Sequence, residues 1–219
     1  MAYRQINFMV NKIHDRELEK YINKYCAGKL LDVGCGSKPY EKFTIGVVDK
    51  HIGIDHELTP HDKSRIDVFG TAYDIPFEDN HFDAVLCTAV LEHLEEPNEA
   101  IKESNRILKK GGVAIYSVPF IWHLHEEPRD FFRYSKYGLE YLFMKNGFDI
   151  VELKSLSGFW VTSIQLFIYY LERFNRGLIR RLGVLNFFFY LMQKVGLFIN
   201  KYDRSKEWTW MYIVIAQKK

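Results

Sequence analysis

Cysteine is scarce. Cys26, Cys35 and Cys87 are the three in 219 residues, an odd set without CxxC spacing, so neither a disulfide framework nor a zinc site is supported. Net charge is scarce too: a formal +2, with 26% charged residues, is too slight for a domain that wraps a nucleic acid backbone, and no nucleic acid partner is expected. Long apolar runs are missing. The longest, 159–171 and 184–199, fall short of the roughly 20 residues a spanning helix needs, and each holds polar side chains. The first twenty residues carry charges throughout and no unbroken apolar core, which predicts no signal peptide. Together these absences predict a protein of the reducing cytoplasm. No internal repeat or low-complexity tract is present.

What is abundant is aromatic. Phe, Tyr and Trp make 16% of a chain whose 47% hydrophobic content is otherwise that of a globular protein with a packed core. At this length one α/β domain with an appendage is expected. Helical spacing over 16–26 stops at Gly28, and a regular alternation follows: strands at 30–33, 52–55, 65–68 and 84–88, a helix over 98–108, Lys-Lys-Gly-Gly as its stop, and a strand at 113–118. A polar-aromatic loop (120–134), a helix over 137–145 capped by Gly147, and strands at 148–153 and 208–216 complete it. This rhythm predicts a Rossmann-like, doubly wound, mostly parallel seven-stranded sheet with helices on both faces. The whole of 1–219 reads as one domain, with 29–156 and 208–219 as core sheet. Residues 157–207 form an insert that reads as two helices apolar round most of their circumference, and it holds 12 aromatics and a charge of +5 against −3 for the rest.

The run Leu30-Leu31-Asp32-Val33-Gly34-Cys35-Gly36-Ser37 is a buried strand breaking into a glycine turn, where bare backbone lets a ligand approach. Asp55 ends the next strand, 23 residues after Asp32, the distance at which a carboxylate accepts both hydroxyls of a ribose. A nucleoside ligand follows. The third glycine of the dinucleotide fingerprint is replaced by Pro39, which disfavours NAD. An acid two residues before the first glycine instead suits a ligand bearing an ammonium group, such as S-adenosylmethionine.

Four stretches, LLDVGCGSKPY (30–40), GIDHE (53–57), GTAYDIPFEDNHFDAVLCTAVLEHL (70–94) and RILKKGGVAIYSVP (106–119), resemble the class I S-adenosylmethionine-dependent methyltransferases of the type 11 small-molecule branch. A fifth, HEEPRDFFRYSKYGLEYLFMKNGF (125–148), is similar to a subgroup linked to bacterial surface-sugar and glycan pathways. The resemblance implies S-adenosylmethionine as cofactor, with Asp32, Gly34, Cys35 and Gly36 at its methionine end and ribose side, and Asp55 with His56 at the ribose hydroxyls. It puts Thr71 and Ala72 at the adenine, where relatives usually carry an acid, and Thr88 beside the cofactor. Asp74 reads as a cap of the Ile75-Pro76 turn. Lys38 stands where the common pattern has glycine. Cys35 reads as a small turn residue rather than a reactive thiol.

Methyl transfer from a sulfonium is an in-line displacement that needs alignment and exclusion of water, and a base only where the acceptor must lose a proton. The ligand is expected beyond the carboxyl ends of the strands. His93 there reads as a loop-shaping residue or a catalytic one, and Glu92 as a cap or a contact to the methionine portion. His125 is the expected base or acceptor-orienting residue, with Asp130 as its catalytic partner; the alternative is a loop histidine tied to Asp130 or to a backbone carbonyl. His123, Arg129 and Arg133 are expected to bind the acceptor, Arg133 as a bidentate clamp or as half of an ion pair with Asp130. No metal ligand set is read.

The acceptor is expected to be a sugar or lipid-linked glycan hydroxyl. The alternative is a non-catalytic S-adenosylmethionine-binding scaffold or regulatory protein acting through the aromatic insert. Three readings of that insert stand open: a lid, a peripheral contact with the inner membrane face or a lipid-linked substrate, and a homodimer interface.

Overall fold

The computed structural model describes residues 6–59 and 62–219; residues 1–5, where the N-terminal stretch read above begins, and 60–61 lie outside them. The chain divides into two compact units. The larger, Leu18–Pro119, Leu124–Lys154 and Tyr212–Lys219, carries the sheet. Its strands are β1 (Lys29–Val33), β2 (Lys50–Asp55), β3 (Val68–Phe69), β4 (Phe82–Thr88), β5 (Leu108–Pro119), β6 (Phe148–Ser155) and β7 (Met211–Lys218), in the order β3-β2-β1-β4-β5-β7-β6. β1 pairs in parallel with β2 and β4, β2 with β3, and β4 with β5. β7 runs against its neighbours: Lys219 N–H reaches Gly147 at the start of β6, and Gln217 Nε2 reaches Gly111 at the start of β5. The expected seven-stranded, mostly parallel α/β sheet is therefore present.

The central strands are apolar along their length, as strands covered on both faces must be. Leu30, Leu31, Ala84, Val85, Leu86, Ala114 and Ile115 are wholly buried. The helices with this unit are α1 (Phe8–Tyr25) from Leu18 onward, α2 (Glu41–Thr44), α3 (Pro97–Ile107) and α4 (Lys136–Lys145). Proline opens α3, where a missing N–H costs nothing, and Ser135 caps α4 by accepting the N–H of Gly138. Ser104 of α3 hydrogen-bonds the buried Tyr116 hydroxyl of β5 at 2.7 Å, and Phe143 of α4 meets the same ring edge-on at 5.1 Å. That trio fixes both helices to β5.

Two elements depart from the sequence reading. The third strand is expected over 65–68, but Asp62 accepts the N–H of Ser64 and caps a 3-10 turn over Lys63–Arg65, so only Val68 and Phe69 pair with β2. Lys-Lys-Gly-Gly does not separate helix from strand. β5 begins directly at Leu108, and because Phe82 pairs with Leu108 while Ala84 pairs with Val113, residues 109–112 bulge out within the strand, with Gly111 at φ +77°.

The smaller unit is Met1–Glu17, Phe120–His123 and Ser155–Met211. It holds α5 (Phe159–Glu172), α6 (Gly177–Leu182) and α7 (Val184–Ile199), one helix more than expected, with α6 ended by Gly183 at φ +68°. Ile168 and Phe189 form its core with Ile6. Two buried glutamines replace further apolar contacts: Gln193 Oε1 accepts the N–H of Met9 and Gln165 Nε2 donates to the carbonyl of Ile6, both at 2.9 Å. α7 buries only Phe189, Gln193 and Gly196, so most of its apolar surface is left exposed.

Gly53 of β2 is a point of close approach. A Cβ there would lie 2.4 Å from Lys38 Cε and 2.6 Å from Cys35 Sγ. Lys38, at φ 53° in the left-handed region that explains the usual glycine, crosses this glycine to pair with Asp67, whose Oδ2 also accepts the N–H of Gly53 at 2.7 Å. Gly53→Ala should lower stability by about 1–3 kcal/mol through overpacking, read as a shift of the urea unfolding midpoint.

Candidate functional site

The glycine turn folds as it does because β1 must leave the sheet beside β2. Gly34 and Gly36 take φ +69° and +48°, and a Cβ on Gly34 would fall 2.5 Å from Val90 Cγ2. The N–H groups of Gly34 and Cys35 both donate to the carbonyl of Ile54, at 2.9 and 3.1 Å. Asp55 then closes the turn from the other side: Oδ2 accepts the N–H of Gly36 at 2.9 Å and Oδ1 that of His56 at 2.8 Å. A cavity of about 340 Å³ opens there, walled by the residues that follow the carboxyl ends of four parallel strands: Gly34, Asp55 and His56, Gly70 to Tyr73, and Val90 with His93. Arg129 and Leu58, the latter 79% exposed, complete its rim.

Of the expected cofactor residues, Gly34, Asp55, His56, Thr71 and Ala72 line this cavity. Asp32, Cys35, Gly36 and Thr88 are not among its lining residues. The Asp32 carboxylate is buried against His51 Nε2 at 3.2 Å, and burial raises its pKa despite that partner. Cys35 is buried over Gly53, and burial pushes its thiol up to about 12. Cys26 and Cys87 are buried as well, with thiols raised for the same reason. A low-pKa nucleophilic thiol is therefore absent from the described residues. The turn at 71–74 is capped by the hydroxyl of Thr71, which accepts the N–H groups of Tyr73 and Asp74 at 3.3 and 3.2 Å. Asp74 does not hold the next turn either, because the N–H of Ile75 goes to Glu103 at 2.8 Å.

A second constellation adjoins the cavity through His93. After β4, Ala89 turns the chain at φ 51°, and a 3-10 turn over Leu91–His93 presents Glu92 and His93. The loop after β5 is fastened onto that turn. The carbonyl of Glu92 accepts N–H groups from Phe131 and Phe132 at 2.9 and 3.2 Å, and the hydroxyl of Tyr134 donates to the carbonyl of Leu91 at 3.0 Å. This brings His125, Asp130 and Arg133 to Glu92 and His93. Arg133 donates to Asp130 through both terminal nitrogens, at 2.6 and 2.7 Å, and so holds a 2% exposed carboxylate well below the usual carboxylate range. Asp130 Oδ2 in turn accepts the N–H of His125 at 2.9 Å and lies 3.2 Å from its Nδ1. Burial lowers the pKa of His125 although Asp130 opposes it, which favours a neutral ring.

His125 is thus tied to Asp130, and Asp130 to Arg133, so that in this conformation the clamp expected for an acceptor is turned inward. His93 and His125 meet edge to face at 4.8 Å. His123 is not part of this constellation. It belongs to the smaller unit, where it stacks on Tyr169 at 4.2 Å and meets Trp122. Glu92, read above only as a cap or cofactor contact, is its centre: both carboxyl oxygens are buried without a hydrogen-bond partner, and burial raises its pKa to about 8. The sequence signal for it is an acid in the otherwise apolar run Ala89-Val90-Leu91-Glu92-His93-Leu94.

Residues 31–116 match the family model described as a methyltransferase domain. A demethylmenaquinone methyltransferase of Staphylococcus carnosus is 31% identical over 122 residues, 50% of this chain and 51% of that protein. The chain therefore spans about half the length of the curated relatives it matches. Among solved structures, the [4+2]-cyclase SpnF superposes with a TM-score of 0.60 at 22% identity, over 93% of this chain and 81% of that one. Haemonchus contortus phosphoethanolamine N-methyltransferase 2, solved in complex with S-adenosyl-L-methionine, superposes with a TM-score of 0.59 at 17% identity, over 94% of this chain and 52% of the other. The sheet order and these likenesses establish a Rossmann-like α/β fold, and the stretch similar to a methyltransferase domain covers β1 to β5 of its sheet.

The carboxyl of Glu92 makes stability fall with pH. An unfolded glutamate loses its proton near pH 4.3, whereas the folded one keeps it to about 8, so between these values the folded state binds more protons and is weakened as they leave. The slope approaches about 1.4 kcal/mol per pH unit. Glu92→Gln should flatten this dependence and make the variant the more stable protein at pH 8, as measured by urea unfolding at pH 5 and pH 8.

Proposed function

We propose that this chain is an S-adenosylmethionine-dependent methyltransferase acting on a small-molecule acceptor, a sugar or lipid-linked glycan hydroxyl. The observation that carries the reading is the 340 Å³ cavity at the strand ends, in which bare backbone at Gly34 and the carboxylate of Asp55 face the same space. Its volume suits a nucleoside-sized ligand. Asp55 keeps acceptor capacity beyond its two backbone contacts, since each carboxylate oxygen has a second lone pair for a ribose hydroxyl. Thr71 holds its turn by accepting, which leaves its O–H and the backbone of Ala72 for an adenine edge. When bound, S-adenosylmethionine supplies an electrophilic methyl on a sulfonium. This chain's part is to orient the acceptor and shield it from water, with His93, Arg129 and the neutral ring of His125 as the groups that do so. Support for the sugar acceptor lies in the run 125–148, which contains His125, Asp130 and Arg133.

A second reading is favoured by one observation: a cyclase shares the fold, so this architecture is not confined to methyl transfer, and the alternative is a non-catalytic S-adenosylmethionine-binding scaffold or regulatory protein. Detection of S-adenosylhomocysteine over a panel of sugar acceptors separates the two. Asp55→Ala should weaken cofactor binding by about 1.5–3 kcal/mol in calorimetry. His125→Ala should depress turnover while leaving cofactor affinity nearly unchanged.

The smaller unit fits peripheral contact with an anionic membrane. No helix among the described residues is long and apolar enough to cross one. Yet Phe167, Tyr170, Phe174, Leu178, Phe187 and Phe198 are all at least 47% exposed, alongside Arg173, Arg176, Arg180 and Arg181. In co-sedimentation, vesicles containing anionic lipid should retain the protein at low salt, and neutral vesicles or high salt should release it.

A further inference from the structure

We infer that Glu92, His93 and His125 form a binding site for a first-row divalent metal ion of the zinc type. One ligand atom from each lies within 4.8 Å of the others. His93 Nε2 is 3.9 Å from Glu92 Oε1, and His125 Nε2 is 4.0 Å from the same atom. Ligands about 2.1 Å from a tetrahedral ion stand about 3.4 Å apart, so closure onto an ion contracts these two pairs by roughly half an ångström.

Two further features go beyond proximity. Both imidazoles are held from behind through Nδ1: that of His93 by the carbonyl of Arg129, and that of His125 by the pair of Asp130 and Arg133, with Asp130 Oδ2 at 3.2 Å and Arg133 Nη2 at 3.4 Å. A carbonyl or carboxylate on one ring nitrogen, with the other nitrogen turned to a common point, is how metal-ligating histidines are oriented. The Glu92 carboxyl group at that point is wholly buried, neither oxygen has a hydrogen-bond partner, and an ion would displace its proton on binding. A cation supplies what that group lacks. Two imidazoles and one carboxylate select a transition ion over magnesium or calcium, which prefer oxygen. Three protein ligands leave a position open, and Glu126, whose Oε2 is 3.8 Å from His93 Nε2, stands at its edge. Because His93 also lines the cavity, an ion here would bind an acceptor oxygen beside the cofactor; that role rests on the methyl-transfer reading, whereas metal binding does not.

The test is zinc titration of protein stripped with a chelator, by competition with a chromophoric indicator in the absence of cofactor. One zinc per chain is expected, with affinity reduced at least tenfold in Glu92→Gln and His125→Ala, about tenfold in Asp130→Asn, and unchanged in Cys26→Ser. Cobalt loading of the unaltered chain gives a reading that needs no variant: visible bands of a four- or five-coordinate ion without thiolate charge transfer support the site. Failure of the stripped protein to bind zinc overturns the inference, as does equal binding by all variants or a thiolate spectrum. S-adenosylmethionine affinity of the same stripped protein reports on the methyl-transfer reading separately.

Discussion

The carboxylate of Asp55 is the constraint on which the ligand side of the sheet depends. It ends β2 and ties the N–H of Gly36 to that of His56, so one side chain fixes the exit of β1 and the exit of β2 at once. A backbone without side chains, as at Gly34 and Gly36, has no packing of its own to hold it. The carboxylate supplies that order through two charge-assisted hydrogen bonds. Everything that faces the cavity is registered against this corner. The pair of Lys38 and Asp67 does the same one step further out, and at the cost of a left-handed lysine it replaces the freedom of a glycine with an ionic contact between a buried lysine and a half-exposed aspartate.

Much of the fold was legible because the sheet is built from continuous apolar strands separated by glycine. Where local hydrogen-bonding side chains intervened, periodicity misled. The Asp62 cap turned a stretch with strand composition into a 3-10 turn, and the glycines at 111 and 112 made a bulge inside a strand instead of a boundary. α6 was missed because the six residues Gly177–Leu182 are too few to display a helical period.

The site was legible to the extent that its residues follow strand ends. Gly34, Asp55, Thr71 and Ala72 arrive together because parallel strands finish on one edge, a property of topology that spacing reveals. Glu92 and His123 show what spacing does not reveal. Whether a residue in an irregular loop turns toward a neighbour depends on contacts made about 40 positions away or more, as with the fastening of Phe131 and Phe132 to the carbonyl of Glu92 and the stacking of His123 on Tyr169. Glu92 is centred by backbone groups of other residues, which carry no identity in the sequence.

The burial of all three thiols has a practical side. Cys26, Cys35 and Cys87 are buried, and burial suppresses their ionisation, so a maleimide has little thiolate to attack in the folded chain. The molecule is in effect cysteine-free toward such reagents without a single substitution. A cysteine placed at Leu58, exposed yet on the cavity rim, would carry a fluorophore to one known address, and its emission would report occupancy of that cavity directly.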